Sequence, residues 1–359
     1  MTAIHIKFPS LTLKAGPRAF VRIRDNGLNA ADVGTLPGAA GGPKALGIQG
    51  LDLALFGEWL PAAPRERSLI GASVGGWRFA SACLPDAAEG IRRLGQLYTE
   101  QNFAKGVTMA QISQSSQRML NDLLDGRDAS ILDSSDYRLN IMVVKSHGLL
   151  ADDHRARLGL GLSSVIADNL RGRARLARHF ERLIIHDPRL APPVHALNDF
   201  PSRFVALNAG NLRQALLASG SIPMVMEGVR DLPGAGAGTY RDGGLLDYHL
   251  DLPYSGNDIV LYPHFTDRVI PGWFDKPLPW RRACPTRLQN VLLLAPSKDY
   301  LARLPYGKLP DRNDFKRFMG DAPSRQKYWR TTMDESRRMG DEFLELAANG
   351  RLGERLLTL

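Results

Sequence analysis

The chain of 359 residues has only two cysteines, Cys83 and Cys284, and they lie far apart. Neither belongs to a C-x-x-C pair, which removes the common zinc and dithiol spacings and makes a reduced, cytoplasmic setting the expectation. No apolar run approaches the roughly 20 residues needed to span a bilayer, so no transmembrane segment is expected and any membrane contact is peripheral. The opening "MTAIHIKFPSLTLKAG" (1–16) alternates apolar and polar residues and lacks the apolar core and cleavage site of a secretory signal. Internal repeats and low-complexity tracts are missing, which excludes solenoids and arrays. No helix-turn-helix, zinc-finger or RNP-like signature accompanies the charge, so no nucleic-acid partner is expected.

What the chain does have is ordinary core material, 44% hydrophobic residues, and an excess of positive charge. The 46 Lys and Arg outnumber 37 Asp and Glu, leaving +9, which favours contact with anionic surfaces such as phospholipid headgroups or nucleic acid, and charge alone does not choose between them. Short β-prone runs recur at 68–71, 137–146, 203–209, 257–265 and 289–296. Between them, 44–60, 108–124 and 210–220 carry apolar residues at helical spacing. Strands alternating with helices predict an α/β fold, three layers around a central, mostly parallel sheet.

The stretch 154–187 interleaves arginines with leucines and isoleucines and predicts one or two amphipathic helices able to lie on an anionic interface. A Gly/Ala loop follows at 230–239. Beyond residue 265 the texture shifts to Pro, Arg and Trp, which divides the chain into a core, 1–265, and a C-terminal extension, 266–359, packed on it. Within the extension, "TMDE" (332–335) has capping-box spacing and predicts a helix from there to Ala348.

The chemistry concentrates in three short motifs. Gly71, Ala72, Ser73, Val74 and Gly75 form G-x-S-x-G between a β-prone run and a helical one. That context is the nucleophile elbow, where a sharp strand-to-helix turn exposes a serine hydroxyl and aims a helix N-terminus at charge on an attacked carbonyl. "AAGGPKALG" (39–47) is a Gly-rich loop opening a helix, suited to presenting backbone N–H groups to an oxyanion, with Lys44 adding charge. "YRDGGLLDY" (240–248) sets Asp242 on a tight turn made by Gly243 and Gly244.

Serine needs a base, and two arrangements satisfy the order of the chain. In one, His249 or His264 follows Asp242 and completes a Ser-acid-His triad of α/β-hydrolase type. In the other, Asp242 itself is the base.

The three motifs in this order resemble the patatin-like phospholipase family, over about residues 36 to 255. "ALLASGSIPMVME" (215–227) strengthens the resemblance, being similar to that family's small-residue segment ending in Ile-Pro ahead of the aspartate. The family's loop commonly reads Gly-Gly-Gly-x-Arg/Lys-Gly; here Ala40 stands for the first glycine and Ala45 for the last, and neither replacement removes a backbone N–H.

The resemblance implies a patatin-like fold and a Ser-Asp dyad: Ser73 the nucleophile, Asp242 the base, and the N–H groups of Gly41 and Gly42 the oxyanion donors. It implies a serine acyl hydrolase of phospholipase A or lysophospholipase type, acting on a lipid ester with no metal or organic cofactor. A third expectation stands beside the dyad and the triad: a catalytically inactive chain of this fold that binds a lipid surface.

Overall fold

A computed structural model describes residues 9–359; residues 1–8, and with them half of the N-terminal segment discussed above, lie outside it. Eleven strands form one sheet: β1 (Leu11–Ala15), β2 (Val33–Gly38), β3 (Arg67–Ala72), β4 (Tyr137–Ser146), β5 (Phe180–His186), β6 (Ser202–Ala206), β7 (Val229–Arg230), β8 (Thr239–Asp242), β9 (Ile259–Pro263), β10 (Val291–Pro296) and β11 (Leu356–Thr358). Nine of them run side by side in the order β11-β1-β10-β9-β2-β3-β4-β5-β6, while β8 pairs with β4, and β7 with β8. The central five, β10-β9-β2-β3-β4, are all parallel, and antiparallel pairs, β1 with β10 and β4 with β5, flank that block.

Every residue of β3, β9 and β10 is buried, which explains the unbroken apolar runs of β9 and β10 and of β3 after Ser68: strands covered on both faces do not alternate. The expected α/β architecture, with a mixed, mostly parallel sheet flanked by helices, is therefore what the chain adopts. The stretch 266–359 supplies β10, which lies between β1 and β9, and β11 at the sheet edge.

Two sequence expectations need correction. The stretch 154–187 is helical only over Arg155–Arg171 and in a short 3-10 turn, Arg173–Arg178; it then becomes β5, with Leu183, Ile184 and Ile185 fully buried. Local spacing could not separate these because the strand's apolar run continues the apolar positions of the helix. The C-terminal helix begins at Ala322 rather than near 332, with Asp321 capping it by accepting the Ser324 N–H at 3.1 Å. Thr332 is buried mid-helix and its hydroxyl donates to the Tyr328 carbonyl, so "TMDE" caps nothing.

That 27-residue helix docks closely on the short helix Gln49–Ala54. A Cβ on Gly50 would lie 2.3 Å from the Arg337 backbone nitrogen, and the Gly50 N–H donates to Ser336 Oγ at 2.7 Å. The same short helix carries Asp52, whose buried carboxylate takes both Nε and a terminal nitrogen of Arg78, at 2.7 and 2.5 Å. Arg78 sits on the helix Val74–Ala82 that follows Ser73, so this buried pair fixes the helix behind the serine.

Candidate active site

Ser73 joins β3 directly to the helix Val74–Ala82, with φ 56° and ψ −130°. A non-glycine residue held there costs about 1–3 kcal/mol, which the surroundings must over-determine. They do so with close packing. A Cβ on Gly75 would lie 2.0 Å from the Gly38 carbonyl oxygen at the end of β2, and one on Gly71 would lie 2.5 Å from the Gly75 backbone. Both motif glycines are thus required by the approach of helix to strand.

Asp242 reaches Ser73 through strand register. The ten-residue β4 is longer than its neighbour β3; Ala72, the last residue of β3, pairs with Met142, and the next position, Val143, pairs with Asp242 of antiparallel β8. Because β5 occupies the other edge of β4 over Asn140–Ser146, β3 and β8 share one edge and meet end to end. Nucleophile elbow and aspartate, 169 positions apart by their numbers, become neighbours.

The segment 219–221 locks the meeting. The Ser73 N–H donates to Ser219 Oγ at 2.8 Å, Ser219 donates to the Met142 carbonyl at 2.7 Å, and the Asp242 N–H donates to the Ser221 carbonyl at 3.1 Å. The Trp77 indole donates to Leu216 O at 2.8 Å, tying the elbow helix to Leu212–Gly220. Ser219 has the same small-residue segment as its only sequence signal, and its role depends on a contact across the sheet.

The glycines after Asp242 have separate tasks. A Cβ on Gly243 would meet the Met142 carbonyl oxygen at 2.4 Å, while Gly244 donates its N–H to Asp242 Oδ1 at 2.7 Å and packs against Ala40. Burial pushes the Asp242 carboxyl up; the Ser73 hydroxyl, the Arg312 charge, the Gly244 N–H and the Lys276 charge oppose that rise. A carboxyl raised in this way is a stronger base than a solvated one once it ionises.

The Gly-rich loop runs from β2 into a 3-10 helix, Gly42–Ile48, then Gln49–Ala54 and a π turn, Leu55–Trp59, instead of one continuous helix over 44–60. Gly42 has φ +57°, and a Cβ on Gly41 would penetrate the Phe265 ring at 2.4 Å. The Ala40 N–H donates to the Tyr248 carbonyl, whereas those of Gly41 and Gly42 find no acceptor among the described residues. Two unengaged N–H groups beside the serine are what an oxyanion requires.

Two cavities meet over these residues. The larger, about 450 Å³, is walled by Gly42, Ser73 and mainly apolar side chains, including Trp77, Ile112 and Met119. The smaller, about 220 Å³, is lined by Gly41, Lys44, Asp242, Gly244 and Lys276. They share Ile222, Arg312 and Asn313. The sequence reading named neither Lys276 nor Arg312, because both lie in irregular segments without motif spacing.

Comparison with protein-family models and with curated proteins returns no match for this chain.

Histidine takes no part in either cavity wall among the described residues. His249 and His264 are buried, 4.3 Å apart between ring centroids, and the Nδ1 of each accepts a backbone N–H, from Ile270 and Thr266. Burial drives both far toward the neutral form, His264 down to about 3. Their Nε2 atoms have no hydrogen-bond partner among the described residues, and they form part of an aromatic stack around Phe265 beneath the glycine loop. The triad arrangement therefore lacks its histidine at Ser73. No group of three His, Cys, Asp or Glu among the described residues is placed to hold a metal ion.

Proposed function

We propose that this protein is a serine acyl hydrolase of patatin-like type that cleaves lipid carboxylic esters through a Ser73–Asp242 dyad. The observation that carries the reading is the end-to-end meeting of β3 and β8 on one edge of β4, with Ser73 at positive φ and Asp242 beside it. In the first half-reaction Asp242 accepts the Ser73 proton as Oγ bonds to the ester carbonyl carbon. Gly41 and Gly42 stabilise the oxyanion; its collapse breaks the ester C–O bond, and the alcohol leaves with the proton held by Asp242. In the second, water gives a proton to Asp242 and attacks the acyl-enzyme. Collapse releases the acid and returns the proton to Ser73.

The apolar cavity of about 450 Å³ supports an acyl chain as the recognised group, being within the roughly 300–1,000 Å³ of small-molecule sites. The helix Arg155–Arg171 supports delivery from a surface: Leu160, Ile166 and Leu170 are 66%, 50% and 59% exposed, beside exposed Arg155, Arg157 and Arg171. That combination suits a peripheral contact with anionic lipid. Among the described residues no helix is long and apolar enough to cross a membrane.

The test is labelling of wild type, Ser73→Ala and Asp242→Ala with a fluorophosphonate probe, together with hydrolysis of p-nitrophenyl butyrate. Wild type is expected to label and turn over, with both folded variants inert. A folded wild type that neither labels nor hydrolyses would overturn the assignment.

A further inference from the structure

Three cations converge on the smaller cavity, whose two carboxylates, Asp242 and Asp311, pair directly with none of them. Lys44, Lys276 and Arg312 line it beside Asp242, and among the described residues none of the three forms an ion pair within 4.0 Å. Elsewhere several buried arginines pair with carboxylates, Arg78 with Asp52, Arg182 with Asp247 and Asp199, and Arg241 with Asp153, while the buried Arg67 and Arg325 donate to backbone carbonyls. The other carboxylate in this wall, Asp311, receives the Lys308 ammonium at 2.8 Å and the Asn313 N–H at 2.7 Å; it shares Lys308 with Asp314, also at 2.8 Å, and its charge still favours the Lys44 ammonium without touching it.

Ring faces hold the two lysines instead. The Lys276 ammonium stands 4.1 Å from the Tyr248 centroid and 5.6 Å from that of Trp273; Lys44 stands 5.0 Å from Phe265. A cation placed on a π face is positioned while its N–H donors stay available to a ligand. Arg312 lies against the oxyanion loop, its Nε 3.2 Å from where a Gly42 Cβ would be. The arrangement carries internal repulsion: after burial, the charges of Lys44 and Arg312 push the Lys276 ammonium down to about 8, against the opposing pull of Asp242. Like charges gathered in a shielded cleft without a direct ion pair concentrate field that an incoming anion relieves.

On the hydrolase reading, on which this inference rests, the acyl chain fills the apolar cavity and the alcohol side of the ester extends into the cationic one. We propose that the smaller cavity is an anion subsite in which Lys44, Lys276 and Arg312 bind a phosphate-type group on the alcohol side of the scissile ester. The preferred substrate class is then an ester with an anionic head, such as a lysophospholipid bearing a phosphate monoester, over a neutral acylglycerol.

The experiment uses the full chain as wild type, Lys276→Gln, Arg312→Gln and Lys276→Arg, with melting curves to establish folding. Hydrolysis of hexanoyl lysophosphatidic acid, hexanoyl lysophosphatidylcholine and monohexanoylglycerol gives the anionic-to-neutral kcat/KM ratio. Calorimetry on Ser73→Ala, with glycerol 3-phosphate and inorganic phosphate as separate probes, reads anion binding without turnover. Loss of one charge-assisted contact is expected to lower the ratio about tenfold in each Gln variant, with Lys276→Arg retaining it. Glycerol 3-phosphate should bind Ser73→Ala more tightly than inorganic phosphate does.

A ratio unchanged in both Gln variants overturns the subsite while leaving the hydrolase standing, as does binding of inorganic phosphate alone with no preference for anionic esters. Conversely, glycerol 3-phosphate binding that Lys276→Gln abolishes, in a wild type that hydrolyses nothing, keeps the anion site and removes the hydrolase.

Discussion

The two cavities that meet at Arg312 differ in chemistry although both are walled by early and late parts of the chain. The larger one adjoins Ser73 and is mostly apolar; the smaller adjoins Asp242 and carries three cations without an ion pair among the described residues. The motif residues of both come from the first 245 positions, but Lys276 and Arg312 come from irregular chain that returns after β9. The difference separates two tasks. Motif glycines create backbone space and unengaged N–H groups, whereas the later segments bring Lys276 and Arg312 over them; on the proposed hydrolase reading the first would serve any ester and the second an anionic one.

The sharpest way to break the comparison is at the base. Asp242→Asn retains an acceptor for the Gly244 N–H but cannot take a proton, so turnover of p-nitrophenyl butyrate should fall by about 10⁴-fold. Its effect on stability has the reverse sign. Burial raises the Asp242 carboxyl in the folded state, so the favourable term is fully present below the unfolded-state value near 3.9 and is lost as pH rises through the higher folded value. Melting curves should therefore show Asp242→Asn gaining stability relative to wild type between pH 4 and pH 8; a growing loss would contradict the burial argument.

Next in size is the oxyanion loop. Gly42→Ala places a Cβ at φ +57°, 3.2 Å from Arg312 Nε, and should displace the loop N–H groups. A fall of about 10²-fold in kcat is expected, measured against the rate of fluorophosphonate labelling.

A smaller effect should distinguish the lobes. Val225→Trp narrows the apolar cavity alone, so long-chain p-nitrophenyl esters should lose at least about tenfold in kcat/KM relative to the acetate. Equal losses for both chain lengths would remove the apolar lobe from chain binding.

The least effect is electrostatic. The acid limb of kcat/KM should lie above the ordinary aspartate range, and Lys276→Gln, which removes a charge favouring the Asp242 carboxylate, should move it to still higher pH by a fraction of a unit. A shift to lower pH would show that Lys276 acts on Asp242 with the opposite sign.

Legibility in the sequence follows the range of the interaction. The runs at 137–146 and 289–296 read correctly as strands because each centres on a short buried apolar run, 141–144 and 291–295. The helix Met109–Leu124 was equally plain, with Thr108 and Gln111 forming its capping box. By contrast β2, "VGTLPG", has no strand signature: Gly34 packs against Asp258, and Gly38 gives way to Gly75 only because the elbow helix lies there. The boundary inside 154–187 and the start of the last helix are not legible locally for a related reason, since burial of Leu183 or Thr332 depends on partners distant in the chain.

At the site, local sequence determined the parts that are backbone rules: a serine between glycines after an apolar strand, a glycine loop with free N–H groups, an aspartate on a Gly-Gly turn. Only the tertiary structure decided that β4 outruns β3 and receives β8 on the vacated edge, that Ser219 and Ser221 hold the two ends, that His249 and His264 are stacked away from Ser73, and that Lys276 and Arg312 arrive over the glycines. The reason is physical. Turn geometry and helix initiation are set by residues within a few positions, while strand register, burial and the field in a cavity are sums over groups that the chain brings together only when folded.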